Sequence, residues 1–160
     1  MDDTLMGELK GILKEFDAAR VGDAVDYHRM TAPCGLPCFA CGLYLANSHD
    51  RLREIVSEIL GIPSEKAVCK GCRNEEGKCG HLPMECRLYP CAAERGVEFC
   101  HQCLDFPCDY LHPYADRADE VWHNTKVFNL CLMKKMGLDA WARDKAGSVR
   151  DVYYWGNWTL

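Results

Sequence analysis

Apolar residues first recur at helical spacing near the N-terminus, where Leu5, Leu9, Ile12, Leu13 and Phe16 line one face of an amphipathic segment. Val21, Val25 and Met30 continue a weaker pattern after a break expected at Gly22, and Pro33 ends any helix before Cys34. A second stripe begins at Asp50 and runs through Leu52, Ile55, Val56, Ile59 and Leu60. Gly61 suits the residue just past that helix and Pro63 prevents its continuation. This second helix is expected to pack on the first. In the last third, Val121, Thr125, Phe128, Leu132 and Met136 share one helical face, with Gly137 placed as its C-cap. Asp139 then caps a short helix that holds Trp141. The chain closes in Val152-Tyr-Tyr-Trp-Gly-Asn-Trp158, read as an aromatic strand or extended tail that closes the core.

Between these segments the pattern disappears. Residues 69–108 are rich in Gly, Pro, Cys and charge and show neither period, apart from a short helix expected around Cys91-Ala-Ala-Glu-Arg and ended by Gly96. About forty residues without regular structure need something other than a hydrophobic face to order them. Metal binding can do so, because its free energy becomes folding free energy.

The cysteines supply the ligands for such an ordering. Eleven of twelve lie between Cys34 and Cys108: Cys34, Cys38, Cys41, Cys69, Cys72, Cys79, Cys86, Cys91, Cys100, Cys103 and Cys108. Cys69-Lys-Gly-Cys72 and Cys100-His-Gln-Cys103 each have the spacing of a zinc knuckle, a tight turn that aims two thiolates at one ion. Gly71 lets the first of these turns form without steric cost. Each knuckle is half of a tetrahedral site. Cys79, Cys86, Cys91 and Cys108 are the nearest suppliers of the other halves, which makes eight thiolates, enough for two closed sites. Spacing does not decide which cysteine joins which metal.

Cys34, Cys38 and Cys41 form a further triplet that needs a fourth ligand: a histidine, a water, a cluster sulfide or another cysteine. The same spacing holds the cluster of radical S-adenosylmethionine enzymes, but the alternating strand–helix pattern of their barrel is missing. The ferredoxin run of closely spaced cysteines followed by proline is also missing, since Pro107 precedes Cys108. His81 and His112 are candidates to complete a site, whereas His101 is expected to point outward and His28, His49 and His123 to lie on the surface or on a helix face. Cys131, beside Phe128 and Leu132, reads as a small buried apolar residue. No phosphate-cradling glycine loop, nucleophile elbow or paired-histidine helix is present.

Composition narrows the partners. The chain has 160 residues, 48% hydrophobic and 27% charged, in the range of a globular protein. Its 19 basic and 24 acidic residues give a net charge of −5 without a basic run, which argues against nucleic acid as the main partner. No signal peptide and no stretch of ~18 apolar residues is read in the chain, so the expected location is the cytoplasm and not a membrane. Thiols stay reduced there, which favours metal ligation over disulfides.

The ordered blocks Cys34-Gly-Leu-Pro-Cys-Phe-Ala-Cys-Gly-Leu-Tyr44, Cys69-Lys-Gly-Cys72, Cys86-Arg-Leu-Tyr-Pro-Cys-Ala and Gly96-Val-Glu-Phe-Cys-His-Gln-Cys-Leu-Asp-Phe-Pro-Cys108 resemble the prokaryotic cysteine-rich family known as domain of unknown function 3795. The resemblance implies a bacterial or archaeal source and marks Cys34, Cys38, Cys41, Cys69, Cys72, Cys86, Cys91, Cys100, Cys103 and Cys108 as motif cysteines. It implies no activity.

The expectation is therefore a mostly α, small metal-stabilised domain with an irregular cysteine-rich middle segment. It is read as a single domain over 1–160, with a helical segment 1–33, a metal-binding segment 34–108 and a helical segment 109–160 ending in the aromatic tail. Zinc is the favoured cofactor, in a scaffold or interaction module that would take a protein partner. An iron–sulfur protein in electron transfer or redox sensing is the alternative.

Overall fold

The computed structural model describes residues 3–20, 25–81, 85–113 and 122–156. They are mostly helical, and their only β pairing is an isolated antiparallel bridge between Thr31 and Pro37. The α-helices among the described residues are α1 (Asp3–Ala19), α2 (Gly42–Leu45), α3 (Asp50–Leu60), α4 (Leu88–Glu94), α5 (Lys126–Met136), α6 (Leu138–Asp144) and α7 (Ala146–Trp155). No helix among the described residues is long and apolar enough to cross a membrane.

α3 forms as its sequence predicts. Leu52, Ile55 and Val56 are buried, and Gly61 ends the helix in the left-handed conformation at φ 61°. At the other end His49 serves as the cap, its Nδ1 accepting the Leu52 N–H at 3.0 Å. α3 packs on α1 as expected: Leu13, Leu52 and Val56 share one apolar cluster with Leu43 and Leu45 of α2. Arg51 reinforces that contact with a bidentate ion pair to Glu8, both N···O distances being 2.7 Å. Cys69 and Cys79 belong to the same cluster, so the first cysteine group is seated directly on the α1–α3 pair.

A second cluster gathers Phe39, Leu88, Phe99, Leu130, Met133 and Trp141, together with Cys34 and Cys100. Here the sequence expectations need three corrections. The buried face of α5 is Lys126, Asn129, Leu130 and Met133, while Phe128, expected inside, is exposed. Cys131, expected to be buried, is exposed. Residues 152–155, expected as a strand or extended tail, are the last turn of α7. For Phe128 and Cys131 the reason is shared: polar residues occupy core positions of α5 that a search for apolar periodicity discards. Asn129 is fully buried because its amide donates to Gly35 O at 3.0 Å and its carbonyl accepts from Trp141 Nε1 at 3.4 Å. Arg150 of α7 is 2% exposed and pairs with Asp17 of α1 and with Asp151 at 2.7 Å each. The aromatic residues still close the core as expected, Tyr153 and Tyr154 against the second cluster and Trp155 against the first.

The short helix ended by Gly96 is also confirmed, α4 ending at Glu94, as are Gly137 at the end of α5 and Trp141 inside α6. Asp139, expected to cap α6, instead lies in its first turn, because Gly137 ends α5 and serves as the N-cap of α6 at once. Val21, Gly22, Val121, Asn157 and Trp158 lie outside the described residues.

Candidate metal centre

All twelve cysteines are free thiols. The Cys69-x-x-Cys72 segment is a tight turn, although its two sulfurs do not fall into one compact ligand group. The Gly71 N–H donates to Cys69 Sγ at 3.3 Å, and Asn74 and Glu75 close the loop by donating to Gly71 O at 3.0 Å. Gly71 holds φ +89°, and a Cβ there would stand 3.3 Å from the Tyr44 ring and 3.5 Å from Cys38 Sγ. That last contact places Cys38 against the knuckle although thirty residues of sequence separate them. The knuckle is fixed to α2 by Cys69 N donating to Leu43 O at 3.0 Å and by Asn47 Nδ2 donating to Cys69 O at 2.7 Å.

Around this turn the thiols converge. Cys72 and Cys79 sulfurs lie 3.9 Å apart. Cys69, Glu75 and Cys79 each bring one ligand atom within 4.8 Å of the others. Four sulfurs about 2.3 Å from one zinc ion in a tetrahedron stand about 3.8 Å from each other. The Cys72–Cys79 pair thus has the spacing of one edge of a tetrahedral site, whereas Cys69, Cys72 and Cys79 are not all within 4.8 Å of one another. Neither His81 nor His112 joins the compact group of Cys69, Glu75 and Cys79 among the described residues.

Glu75 was not singled out from the sequence, where it reads as one charge among several in Glu75-Glu76-Gly77-Lys78. In the structure its Oε2 accepts the Lys70 N–H at 2.9 Å and the Cys69 thiol at 3.3 Å. The carboxylate both closes the loop and stands within ligand range. The available sequence signal was a carboxylate between two cysteines of a loop otherwise without periodicity.

The thiol ionisation follows from this crowding. A hydrogen bond with Cys72, followed by burial, raises Cys38 well above the ordinary thiol value. Cys72 is pulled down by Cys38, but its bond to Cys79 and its burial outweigh that and leave it raised. Its bond with Cys69 raises Cys79, against an opposing pull from Cys72. Each thiolate would suffer its neighbours' charge, and a dication among them reverses that sign.

A second set of thiols lies in electrostatic range of Cys100. Burial pushes Cys34 up to about 11 and Cys100 up to about 12, and Cys100 also feels Cys34, Cys108, Cys91 and Cys103. Cys91 stands on α4, and Cys100 opens the 3-10 turn Cys100–Gln102, which is closed by Cys103 N donating to Cys100 O at 3.1 Å. The Gln102 carbonyl holds this turn by accepting the Glu98 and Phe99 N–H groups at 2.9 Å. His101, expected to point outward, is half-buried and stacks on Phe99 with an interplanar angle of 11°. Cys91, Cys100, Cys103 and Cys108 line an open cleft of about 530 Å³.

The Cys34–Cys41 triplet lies between the two groups of thiols. Cys38 meets the knuckle, and Cys34 is in electrostatic range of Cys38 and Cys72 on one side and of Cys86 and Cys100 on the other. Cys41 is buried, which pushes it up to about 11, with Cys38 adding to the rise and Arg150 opposing it. Two guanidiniums brace the turn that carries these residues: Arg20 Nη1 donates to Phe39 O at 2.6 Å and Arg150 Nη1 to Ala40 O at 3.2 Å. Asp17 ties both arginines to α1.

The family model described as a protein of unknown function, DUF3795, matches residues 30–113. The chain belongs to this family. The matched stretch contains all eleven clustered cysteines, whereas α1 and helices α5 to α7 lie outside it. No curated protein and no solved structure matches the chain.

Proposed function

We propose that the protein is a scaffold or interaction module over residues 1–160, ordered through its cysteine-rich segment by structural zinc. The observation that supports this reading is the 3.9 Å separation of the Cys72 and Cys79 sulfurs beside Cys69, which matches the edge of a tetrahedral thiolate site. Cys69, Cys72 and Cys79 are three ligands and Cys38, packed on Gly71, is the fourth. Glu75 stays on the Lys70 N–H and orients the loop. Four protein ligands leave no open position, so the ion holds loops together and performs no reaction. The ordered loop then presents Arg73, whose guanidinium joins the knuckle to Thr31 O and Glu98 O at 2.9 Å and so couples the two centres.

Cobalt substitution tests this reading. Full-length protein loaded with cobalt is expected to show the intense visible d–d bands of a tetrahedral thiolate site, and zinc to displace them. Cys72→Ser and Cys79→Ser should each abolish these bands. Weak octahedral bands in the parent protein, or full-strength tetrahedral bands in both variants, would overturn the assignment.

A further inference from the structure

Among the described residues, Cys69, Glu75 and Cys79 are the one group of three ligand side chains whose donor atoms all lie within 4.8 Å of one another. Neither Cys38 nor Cys72 belongs to it, although Cys72 Sγ stands 3.9 Å from Cys79 Sγ and Cys38 packs against Gly71. The four-thiolate site proposed above therefore has to be completed by movement, whereas two thiols and a carboxylate are already assembled. An oxygen and a sulfur bound to one tetrahedral zinc stand about 3.6 Å apart. Glu75 Oε2 and Cys69 Sγ stand 3.3 Å apart, so a cation can take the place of the thiol proton between them. The two cysteines of this group are buried and Glu75 is partly exposed, which makes the carboxylate its solvent-facing member.

We infer that Glu75 is the capture ligand of this site: a divalent cation binds first to Cys69, Cys79 and Glu75, and passes to the four-thiolate site when Cys72 and Cys38 displace the carboxylate. The inference deepens the zinc reading and rests on it. Five donors converge on an ion that takes four, so one has to end outside. Glu75 is the donor with a place to go, because its Oε2 also accepts the Lys70 N–H at 2.9 Å and keeps that bond when the ion leaves. The order of transfer follows the contacts. Cys72 lies beside Cys79, and Cys38 comes last, from a different part of the chain. The backbone need not change for this exchange. Gly77 N donates to Cys72 O at 2.9 Å and Lys78 N to Glu75 O at 2.8 Å, so the loop is closed by its own main chain while side chains rotate.

On capture Cys69 and Cys79 each release one proton to water and form one bond to the ion, which sheds water ligands to accept them. Cys72 and Cys38 each release one proton as they bind in turn. Glu75 departs as the carboxylate it was, and no oxidant or reductant takes part.

Rapid mixing of the metal-free full-length chain with cobalt tests the step, because the strength of the sulfur-to-cobalt charge-transfer absorption reports how many thiolates are bound. Release is then followed into an excess of chelator. Glu75→Gln keeps an oxygen for the Lys70 N–H and loses the anionic ligand. Glu76→Gln removes the same charge from an exposed neighbour outside the compact group. In the parent, a species with weaker charge-transfer absorption is expected to precede the four-thiolate spectrum. Glu75→Gln should reach the same final spectrum, with uptake and release both slowed about tenfold and affinity unchanged, since a group used only on the path alters both directions alike. Glu76→Gln should match the parent. Parent-like rates in Glu75→Gln would overturn the capture step. Equal slowing in both variants would also overturn it, assigning the effect to general attraction of the cation. Weaker affinity with a changed final spectrum in Glu75→Gln would make Glu75 a permanent ligand and refute the transfer. A parent without tetrahedral thiolate bands would sink the zinc reading and the capture step together, whereas normal bands with unaltered rates would sink the capture step alone.

Discussion

Substituting Gly71 by alanine probes the knuckle without removing a ligand. The residue holds φ +89°, outside the regions that L-residues occupy readily, and such placements cost about 1–3 kcal/mol. The added methyl group also meets the Tyr44 ring at 3.3 Å and Cys38 Sγ at 3.5 Å. The Tyr44 contact is tight by a few tenths of an ångström and can be relieved by a small ring movement, so backbone strain is the larger of the two effects. If the loop relaxes, the Gly71 N–H turns away from Cys69 Sγ, from which it now lies 3.3 Å away. Strain that exists only in the bound conformation appears directly in affinity, and about 1–3 kcal/mol corresponds to zinc binding about 5- to 140-fold weaker. Competition against a chelator of known affinity measures this, and chemical denaturation of the zinc-loaded protein gives the stability. Gly11→Ala is the internal control: it lies inside α1 with nothing within 4 Å of the added methyl group, and should stabilise by about 0.5–1 kcal/mol. Equal zinc affinity and equal denaturation midpoints in Gly71→Ala and the parent would refute the claim that this turn is built to hold a thiolate site.

Three further outcomes follow from the packing. Arg150→Met should cost about 3 kcal/mol, because it deprives Asp17 and Asp151 of a buried partner and the Ala40 carbonyl of its donor; a loss under about 1 kcal/mol in denaturant titrations would contradict that. Cys131→Ser should change stability by no more than about 0.5 kcal/mol, measured the same way, since the side chain is exposed. The metal-free protein should lose stability at high pH. Burial raises Cys34 and Cys41 to about 11 and Cys100 to about 12, whereas an unfolded thiol titrates near ~8.5. The contribution is complete below the unfolded value and disappears as pH rises through the folded values, because the unfolded chain ionises first. A midpoint that stays flat from about pH 8 to about pH 11 would refute it. In the metal-loaded protein the sensitivity moves to acid, where protons compete with the metal for the same sulfurs.

What the sequence by itself determined is local. The stripe from Leu52 to Leu60 and the glycine at 61 specify α3, because helix periodicity and a left-handed cap depend only on residues a few positions apart. The two Cys-x-x-Cys turns are legible for the same reason, and in the first of them the Gly71 N–H donates to the Cys69 sulfur. Tertiary structure decided which thiols meet. Cys38 reaches the knuckle only because α1, α2 and α3 pack into one cluster beneath it, and no spacing rule links positions 38 and 72. Glu75 becomes part of the compact group because the loop folds back onto the Lys70 N–H. The C-terminal half shows the opposite limit. Lys126, Asn129 and Arg150 are buried there by partners more than ninety residues away for Asn129 and Arg150, so the polar positions that apolar periodicity assigns to solvent face the core. A buried polar side chain is satisfied by a particular neighbour and not by a pattern along its own helix, and that neighbour exists only once the chain has folded.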